Sequence, residues 1–342
     1  MTIVGDGVLG REGPAGQLSQ PKYIPSWKPG PMPRQARVYI TGHRGLVGSA
    51  VRRRFEAAGF EHVSGHDSSA LDLRDPVATL AAFSEIRPEV LVLAAARVGG
   101  IVANTRAPVE FLEDNLQIQL SVLGAARRLA VPRVLFLGSS CVYPRLAPQP
   151  ITEDALLTGP LEPTNDAYAI AKIAGIVQVR AMRQQFGFPW ISAMPTNVYG
   201  PGDNFDLETA HALPAMLRGC HEAKHAAAGT WTVWGSGSPR REFLHVDDLA
   251  DACLFLLEHY DGADPINVGT GVDLTIADLA ALIARIVGFG GRIEFDPSRP
   301  DGTPRKLLDV SRLTGLGWQA RTKLPAGIHH TYEWFREDRA SA

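Results

Sequence analysis

Cysteine is scarce in this chain. Its 342 residues include three cysteines, Cys141, Cys220 and Cys253, which lie far apart and are odd in number. This pattern argues against the disulfide framework of a small secreted domain and favours a reducing compartment. We therefore expect a cytoplasmic protein in which Cys220 and Cys253 are structural.

Other features are missing as well. The formal net charge is only -2, so we expect no nucleic-acid partner. The sequence has no CxxC pair, and we expect no metal site. Its longest apolar runs are shorter than the roughly 20 residues that a membrane helix needs, so we expect no membrane contact. With 45% hydrophobic residues the chain has an ordinary globular composition.

The N-terminal segment differs from the rest of the chain. Residues 1–35 are rich in proline and glycine and lack the basic start and apolar block of a signal peptide. We predict a flexible extension without a chemical role.

From Arg37 onward, short apolar runs such as "RVYIT", "EVLVLAAA" and "RVLFLGSS" alternate with segments of helical spacing. This alternation predicts an α/β fold, a Rossmann-type doubly wound parallel sheet with a smaller C-terminal α/β substrate domain. Ligands bind such sheets at the carboxyl edge of the strands. The predicted dinucleotide-binding domain spans residues 36–202 plus about 244–275, and the substrate-binding domain spans 203–243 and 276–342.

A glycine loop joins the first predicted strand to the first helix. In "TGHRGLVG" the glycines follow a GxxGxxG spacing, which allows a tight turn and close approach of the backbone to a pyrophosphate. A plain structural turn is the alternative, but the position in the alternating pattern favours a dinucleotide. The predicted contacts are Gly42, His43, Arg44, Gly45, Leu46, Val47 and Gly48.

Two residues near this loop point to different cofactors. Arg44 could meet a 2′-phosphate, which favours NADP, although a solvated surface charge is the alternative. Asp67 follows the second predicted strand, where a carboxylate could hold the free ribose hydroxyl of NAD. Asp72 is expected to shape the adenine pocket or a turn.

The stretch "YAIAK" places Tyr168 and Lys172 four residues apart, on one face of a helix predicted from about Ala167 to Phe186. We expect the lysine ammonium to lower the pKa of the phenol and to hold the nicotinamide ribose. Ser139, at the end of the preceding strand, would supply a hydroxyl donor, with Ser140 directed to the other side.

Eight stretches carry a specific resemblance. They are "GHRGLVGSA", "AAARVGGI", "GSSCVYP", "EPTNDAYAIAKIAG", "MPTNVYGPGDNF", "VWGSGSPRREFLHVDD", "INVGTG" and "PDGTPRKLLD". Together, over about residues 36 to 335, the chain resembles the GDP-L-fucose synthase family of extended short-chain dehydrogenase/reductases.

The resemblance implies NADP(H) as cofactor, a GDP-4-keto-6-deoxy-sugar as substrate, and a homodimer. It implies 3,5-epimerisation followed by reduction of the 4-keto group. Ser139 and Tyr168 would bind the keto oxygen, Cys141 would be the base and His211 the acid. A cation is expected beside Cys141, either the nicotinamide ring or Lys172. The residues expected to line the cofactor are Leu137, Gly138, Ser139, Ser140, Lys172, Pro195, Thr196, Asn197, Val198 and His211.

At the substrate end the resemblance implies that Arg241 contacts the pyrophosphate, with Asp301 and Lys306 in a ligand-contacting loop. Trp234 would pack on the base or sugar, and a core tryptophan is the alternative. The chain departs from the family where Arg218 is followed by Gly219 instead of a second basic residue. Either one expected pyrophosphate or sugar contact is missing, or Arg218 substitutes for it. The segment His66–Ser68 also lacks an expected arginine.

Three other functions remain open at this point. The chain could act on a different GDP-4-keto-sugar, or it could be an epimerase that recycles bound NAD without net reduction. It could also be a nucleotide-binding regulatory protein without catalysis, although the set of Ser139, Cys141, Tyr168, Lys172 and His211 argues against this.

Overall fold

The computed structural model describes residues 28–341. The first part of the predicted flexible extension, residues 1–27, lies outside the described residues. Residues that follow it contact the body of the protein. Met32 is buried, and its backbone N–H donates to the carboxylate of Glu258. Arg34 pairs with the same carboxylate and stacks over Phe60.

The described chain alternates strands and helices. The strands are β1 Arg37–Thr41, β2 His62–Ser64, β3 Val90–Leu93, β4 Arg133–Leu137, β5 Ile191–Pro195, β6 Asn197–Tyr199, β7 Thr230–Trp234, β8 Arg240–His245, β9 Ile266–Val268, β10 Asp273–Thr275, β11 Arg292–Asp296 and β12 Arg305–Lys306. The α-helices are α1 Leu46–Ala57, α2 Pro76–Ile86, α3 Ile101–Arg106, α4 Pro108–Arg128, α5 Asp166–Phe186, α6 Ala212–His225, α7 Val246–His259, α8 Ile276–Val287, α9 Ser311–Gly315 and α10 Leu324–Ser341.

Six parallel strands form the central sheet in the order β2-β1-β3-β4-β5-β9. Successive side chains of a strand point to opposite faces, and both faces are apolar here. Along β4, Leu135 and Leu137 join a core with α1 and α7, whereas Val134 and Phe136 join a second core with α2, α4 and α5. The predicted doubly wound parallel sheet is therefore confirmed.

A second, smaller layer lies beyond the carboxyl edge of this sheet. Strand β8 pairs with β10 and β12 at its start and with β6 at its end, and β7 pairs with β11. Its separate apolar core includes Leu217, Trp231, Ile283, Ile328 and Phe335. The domain boundaries given above stay a prediction.

None of the helices in residues 28–341 combines the length and apolarity that crossing a bilayer requires.

Candidate active site

The glycine loop forms the tight turn that its spacing predicts. Gly42 has φ of 69°, in the left-handed region, and its carbonyl accepts a hydrogen bond of 3.0 Å from the Gly45 N–H. A side chain on Gly48 would place its Cβ 2.1 Å from this same carbonyl oxygen. Helix α1 then begins with no side-chain cap and no acidic residue in its first turn. Its free N–H groups therefore suit an anionic pyrophosphate.

The two residues that point to different cofactors form one ion pair. Arg44 Nε lies 2.7 Å from Asp67 Oδ1, and the Arg44 side chain is 77% exposed. His43 is buried beside them, with Nε2 3.7 Å from the same carboxylate oxygen. Asp72 instead pairs with Arg74, which holds the pKa of that carboxyl below its usual range. Arg44 and Asp67 thus form one ion pair beside the glycine loop.

Strand β4 ends in a turn that brings a serine hydroxyl to a tyrosine. Ser139 Oγ accepts a hydrogen bond of 3.2 Å from the Cys141 N–H, and the Ser139 side chain also bonds the Tyr168 phenol. Ser140 is buried. A side chain on Gly138 would meet the sulfur of Met194. The structure thus brings together Ser139, Cys141 and Tyr168 as the sequence predicts.

Lys172 lies beneath Tyr168 on α5. Its Nζ donates a hydrogen bond of 2.9 Å to the Leu137 carbonyl and lies 5.9 Å from the centre of the Tyr168 ring. Burial lowers the pKa of Lys172 to about 8. Burial also raises the pKa of Tyr168, aided by the charge of Cys141 and opposed by the hydrogen bond to Ser139. The expectation of a lowered phenol pKa is wrong in these surroundings, because desolvation of the phenolate outweighs the favourable contacts.

The thiol of Cys141 has two polar neighbours. Its sulfur lies 3.3 Å from Asn165 Nδ2 and 3.6 Å from Lys306 Nζ. The expected cation is therefore Lys306, since Lys172 donates to a backbone carbonyl. Lys306 also lies close enough to His211 for its charge to lower the pKa of that imidazole, in addition to the larger effect of burial. His211 nonetheless keeps an exposed surface, as a side chain on the wall of an open site does.

Asn165 is a site residue that sequence reasoning missed. It stands at the N-cap position of α5, where asparagine is common because its side chain accepts a backbone N–H. Here the side chain makes no such cap, and its amide nitrogen faces the thiol. The signal available in the sequence was an N-cap asparagine three residues before Tyr168.

The substrate end is built on β8. Arg241 pairs in register with Lys306 of β12, so parallel pairing places two cations side by side. Arg241 Nη2 donates to the Asp301 carbonyl over 3.2 Å. The Asp301 carboxylate accepts hydrogen bonds of 2.8 Å from both the backbone N–H and the hydroxyl of Ser236. This holds the turn that follows Trp234.

Trp234 is not a core residue. Its side chain is 49% exposed, and the Arg299 guanidinium lies 4.8 Å from its ring centre. The buried tryptophan of β7 is Trp231. The alternative of a core tryptophan at position 234 is therefore wrong.

Arg218 contacts other groups of the protein. Its guanidinium bonds Glu222, one turn further along α6, over 2.7 Å and the Phe205 carbonyl over 3.1 Å. A Cβ on the neighbouring Gly219 would lie 3.2 Å from Trp231 Nε1. Gly219, which stands where the resembled family has a second basic residue, is thus packed against the core of the smaller layer.

The segment from Pro195 to Val198 joins the two layers. The Thr196 hydroxyl and the Asn197 amide both donate to the Glu242 carbonyl, over 3.3 and 2.7 Å. Their contacts fix β6 against β8. The segment's backbone therefore runs beside the end of β5, at the carboxyl edge of the central sheet.

Comparison with known proteins agrees with this geometry. The model of the NAD dependent epimerase/dehydratase family matches residues 38–269. A putative GDP-L-fucose synthase 2 of Arabidopsis thaliana is 52% identical over 305 residues, which cover 89% of this chain and 93% of that protein. The GDP-L-fucose synthase of Escherichia coli K12 is 50% identical over 311 residues, which cover 88% of this chain and 97% of that protein. The chain belongs to the GDP-L-fucose synthase family.

The chain is also similar to a solved structure that contains a cofactor. A GDP-L-fucose synthetase from Naegleria fowleri bound to NADP superimposes with a TM-score of 0.83 at 29% identity. The match covers 93% of this chain and 99% of that one. Members of the GDP-L-fucose synthase family are thus similar to this chain over nearly their whole length.

Proposed function

We propose that the protein is an NADP(H)-dependent enzyme that converts GDP-4-keto-6-deoxy-D-mannose to GDP-L-fucose. The observation that carries the proposal is the constellation around Cys141: a thiol beside an ammonium, with Ser139 bonded both to the Cys141 N–H and to the Tyr168 phenol. Each of these groups has a task in a reaction that passes through an enolate.

The first stage is inversion at the carbons on either side of the ketone. The Cys141 thiolate takes a proton from the carbon, and negative charge collects on the keto oxygen. Ser139 and Tyr168 donate hydrogen bonds to that oxygen and stabilise it. His211 returns a proton from the opposite face of the ring. Lys306, with its Nζ 3.6 Å from the sulfur, would offset the negative charge of this base.

The second stage is reduction at carbon 4. When bound, NADPH supplies a hydride for this step. Tyr168 gives its proton to the resulting alkoxide, a stronger base than the phenolate. A phenol whose pKa is raised by burial is suited to this role, because it keeps its proton until the alkoxide forms. Lys172 would then be available to the nicotinamide ribose.

The cofactor site fits a dinucleotide with a 2′-phosphate. The uncapped start of α1 would hold the pyrophosphate, and the exposed Arg44 would meet the 2′-phosphate once it turns from Asp67. Similarity to the NADP-bound Naegleria protein supports the same choice. At the other end, Arg241 would hold the GDP pyrophosphate, with Trp234 and Asp301 beside it and Arg218 at the edge.

We also infer a cytoplasmic homodimer. A groove between α4 and α5 exposes Leu120 and Val177, with Leu116 and Ala174 along its floor. A second copy of this chain would cover it by packing the same two helices against it. Sedimentation of the purified protein tests this directly, and a monomer at micromolar concentration would contradict it.

The reaction is tested by supplying a panel of GDP-4-keto-sugars with NADPH or NADH and identifying the products by NMR. We expect GDP-L-fucose from GDP-4-keto-6-deoxy-D-mannose, with one NADPH consumed per product. Epimerised product without NADPH consumption would instead identify an epimerase that recycles its cofactor. Turnover confined to another keto-sugar would replace the substrate and keep the chemistry.

A further inference from the structure

Away from the active site, three metal-ligating side chains converge from three segments. His245 ends β8, Asp247 lies in the first turn of α7, and His330 lies on α10. One donor atom from each residue lies within 4.8 Å of the other two. Strand β8 carries Arg241 at its other end, so this cluster is separate from the groups that surround Cys141.

His245 provides a fixed anchor. The residue is 3% exposed, and its Nδ1 accepts a hydrogen bond of 3.3 Å from the Asp247 N–H. Nε2 is buried without a hydrogen-bond partner among the described residues. The Asp247 carboxylate faces Nδ1, so Nδ1 is the nitrogen that would bind a metal, in exchange for the hydrogen bond from the Asp247 N–H.

The other two side chains are exposed. Asp247 Oδ1 accepts a hydrogen bond of 3.0 Å from Arg53, and Oδ2 lies 3.7 Å from His245 Nδ1. One carboxylate oxygen is thus held in place while the other faces the histidine. The His330 ring is exposed and lies 5.5 Å from the His245 ring, tilted by 27°. Rotation of two exposed side chains would close the cluster on an ion.

We propose that His245, Asp247 and His330 form a binding site for a divalent transition metal ion of the zinc class. Two imidazole nitrogens and one carboxylate oxygen are ligands that Zn²⁺ prefers, and water can fill a fourth position. Bonds of about 2.0–2.2 Å require donor atoms roughly 3.3 Å apart, so the cluster must contract slightly. Arg53 stays on the other carboxylate oxygen and orients it, although its positive charge weakens binding of the cation.

Metal binding at this place would join α10 to the rest of the smaller layer. Ile328 and Tyr332, which flank His330 on the helix, are buried in the apolar core, whereas His330 faces outward. An ion held by His245 and His330 would therefore clamp the C-terminal helix onto the end of β8. The effect is on stability rather than on the reaction, because no ligand belongs to the active site.

The matched variants lie on one helix. His330→Gln removes a proposed ligand, and His329→Gln removes the neighbouring exposed histidine, which pairs with Glu333 over 3.3 Å. Both are made in the Cys141→Ser background, because a reactive thiol also binds zinc. Asp247→Asn provides a second ligand variant.

Calorimetric titration of the full chain with Zn²⁺ decides the proposal. We expect one site in the Cys141→Ser parent and in the His329 variant, and at least tenfold weaker binding in the His330 and Asp247 variants. Zn²⁺ should also raise the Tm of the parent and of the His329 variant, but not that of the His330 variant. A loss under tenfold in the His330 variant, or no binding by the parent, would overturn the proposal.

Discussion

The Nζ of Lys306 lies 3.6 Å from the Sγ of Cys141. The two residues are 165 positions apart in the chain, and the contact exists because β12 pairs with β8 beside the turn that follows β4. An ammonium at this distance offsets negative charge on the sulfur when the sulfur acts as a base. The charge of the ammonium also lowers the pKa of His211. Lys306 therefore influences both groups proposed to move protons.

Replacing Lys306 by Met should slow deuterium uptake at carbons 3 and 5 of the substrate by roughly tenfold, because no ammonium then lies beside the sulfur of the proposed base. The pKa of His211, followed by NMR, should rise because a neighbouring positive charge is gone. Lys323→Met, on the exposed loop before α10, is the control. Unchanged deuterium uptake in the Lys306 variant would remove its proposed role.

Replacing Tyr168 by Phe should lower the rate of hydride transfer by about 10²- to 10⁴-fold, since the alkoxide loses its proton donor. Binding of NADPH should change little, because the phenol is not among the groups proposed to hold the cofactor. Single-turnover oxidation of NADPH measures the rate, and fluorescence titration measures the affinity. Ser139→Ala should slow deuterium uptake as well, since it removes one of two donors to the keto oxygen. Full reductase activity in the Phe variant would contradict the assignment.

The Arg44–Asp67 ion pair predicts how cofactor choice responds to mutation. Arg44→Met should weaken NADPH binding by roughly 10- to 100-fold and NADH binding much less, because only NADPH has a 2′-phosphate. Asp67→Asn should tighten NADPH binding, since it frees the guanidinium and removes a repelling charge. Kd values for both cofactors test this. Arg52→Met, which breaks an exposed pair with Glu56 on α1, is the control. Equal losses for both cofactors in the Arg44 variant would count against the NADP assignment.

Asp203 predicts a pH dependence of stability. Burial raises the pKa of its carboxyl from 3.8 to about 7, and Oδ2 has no hydrogen-bond partner among the described residues. A pKa that rises on folding favours the folded state while the group is protonated. Its contribution is full below about pH 4 and is lost as the pH rises through 7. Asp203→Asn should therefore stabilise the protein at about pH 8, by roughly 2–4 kcal/mol, and far less at about pH 4.

Urea unfolding at several pH values checks the Asp203 prediction. Asp206 in the same loop is the matched control, because hydrogen bonds from Thr209 lower the pKa of its carboxyl. Asp206→Asn should lower stability near neutral pH, the opposite sign. If Asp203→Asn changed the free energy of unfolding equally at about pH 4 and about pH 8, titration of this carboxyl would be excluded as the cause.

Local patterns predicted the parts of the site that lie close together in the chain. The glycine loop was identifiable because its spacing, strand and helix are contiguous. Tyr168 and Lys172 were identifiable because one helix places both on the same face. Helix α5 begins at Asp166, one residue before its predicted start, and ends at Phe186 as predicted.

Contacts between segments far apart in the sequence could not be predicted in the same way. The partner of Cys141 was expected to be Lys172 or the nicotinamide ring, but Lys306 reaches it from a strand near the C-terminus. The direction of the Tyr168 pKa shift was also missed, because it depends on how much protein surrounds the phenol. His330 gave no signal at all, since its neighbours His245 and Asp247 lie on other elements.

The contact between Gly219 and Trp231 limits how this surface can change. A Cβ at position 219 would lie 3.2 Å from Trp231 Nε1, so any side chain there requires the indole to shift by a few tenths of an ångström. Because this indole belongs to the apolar core, the adjustment of that core sets the cost of adding a second basic residue to α6.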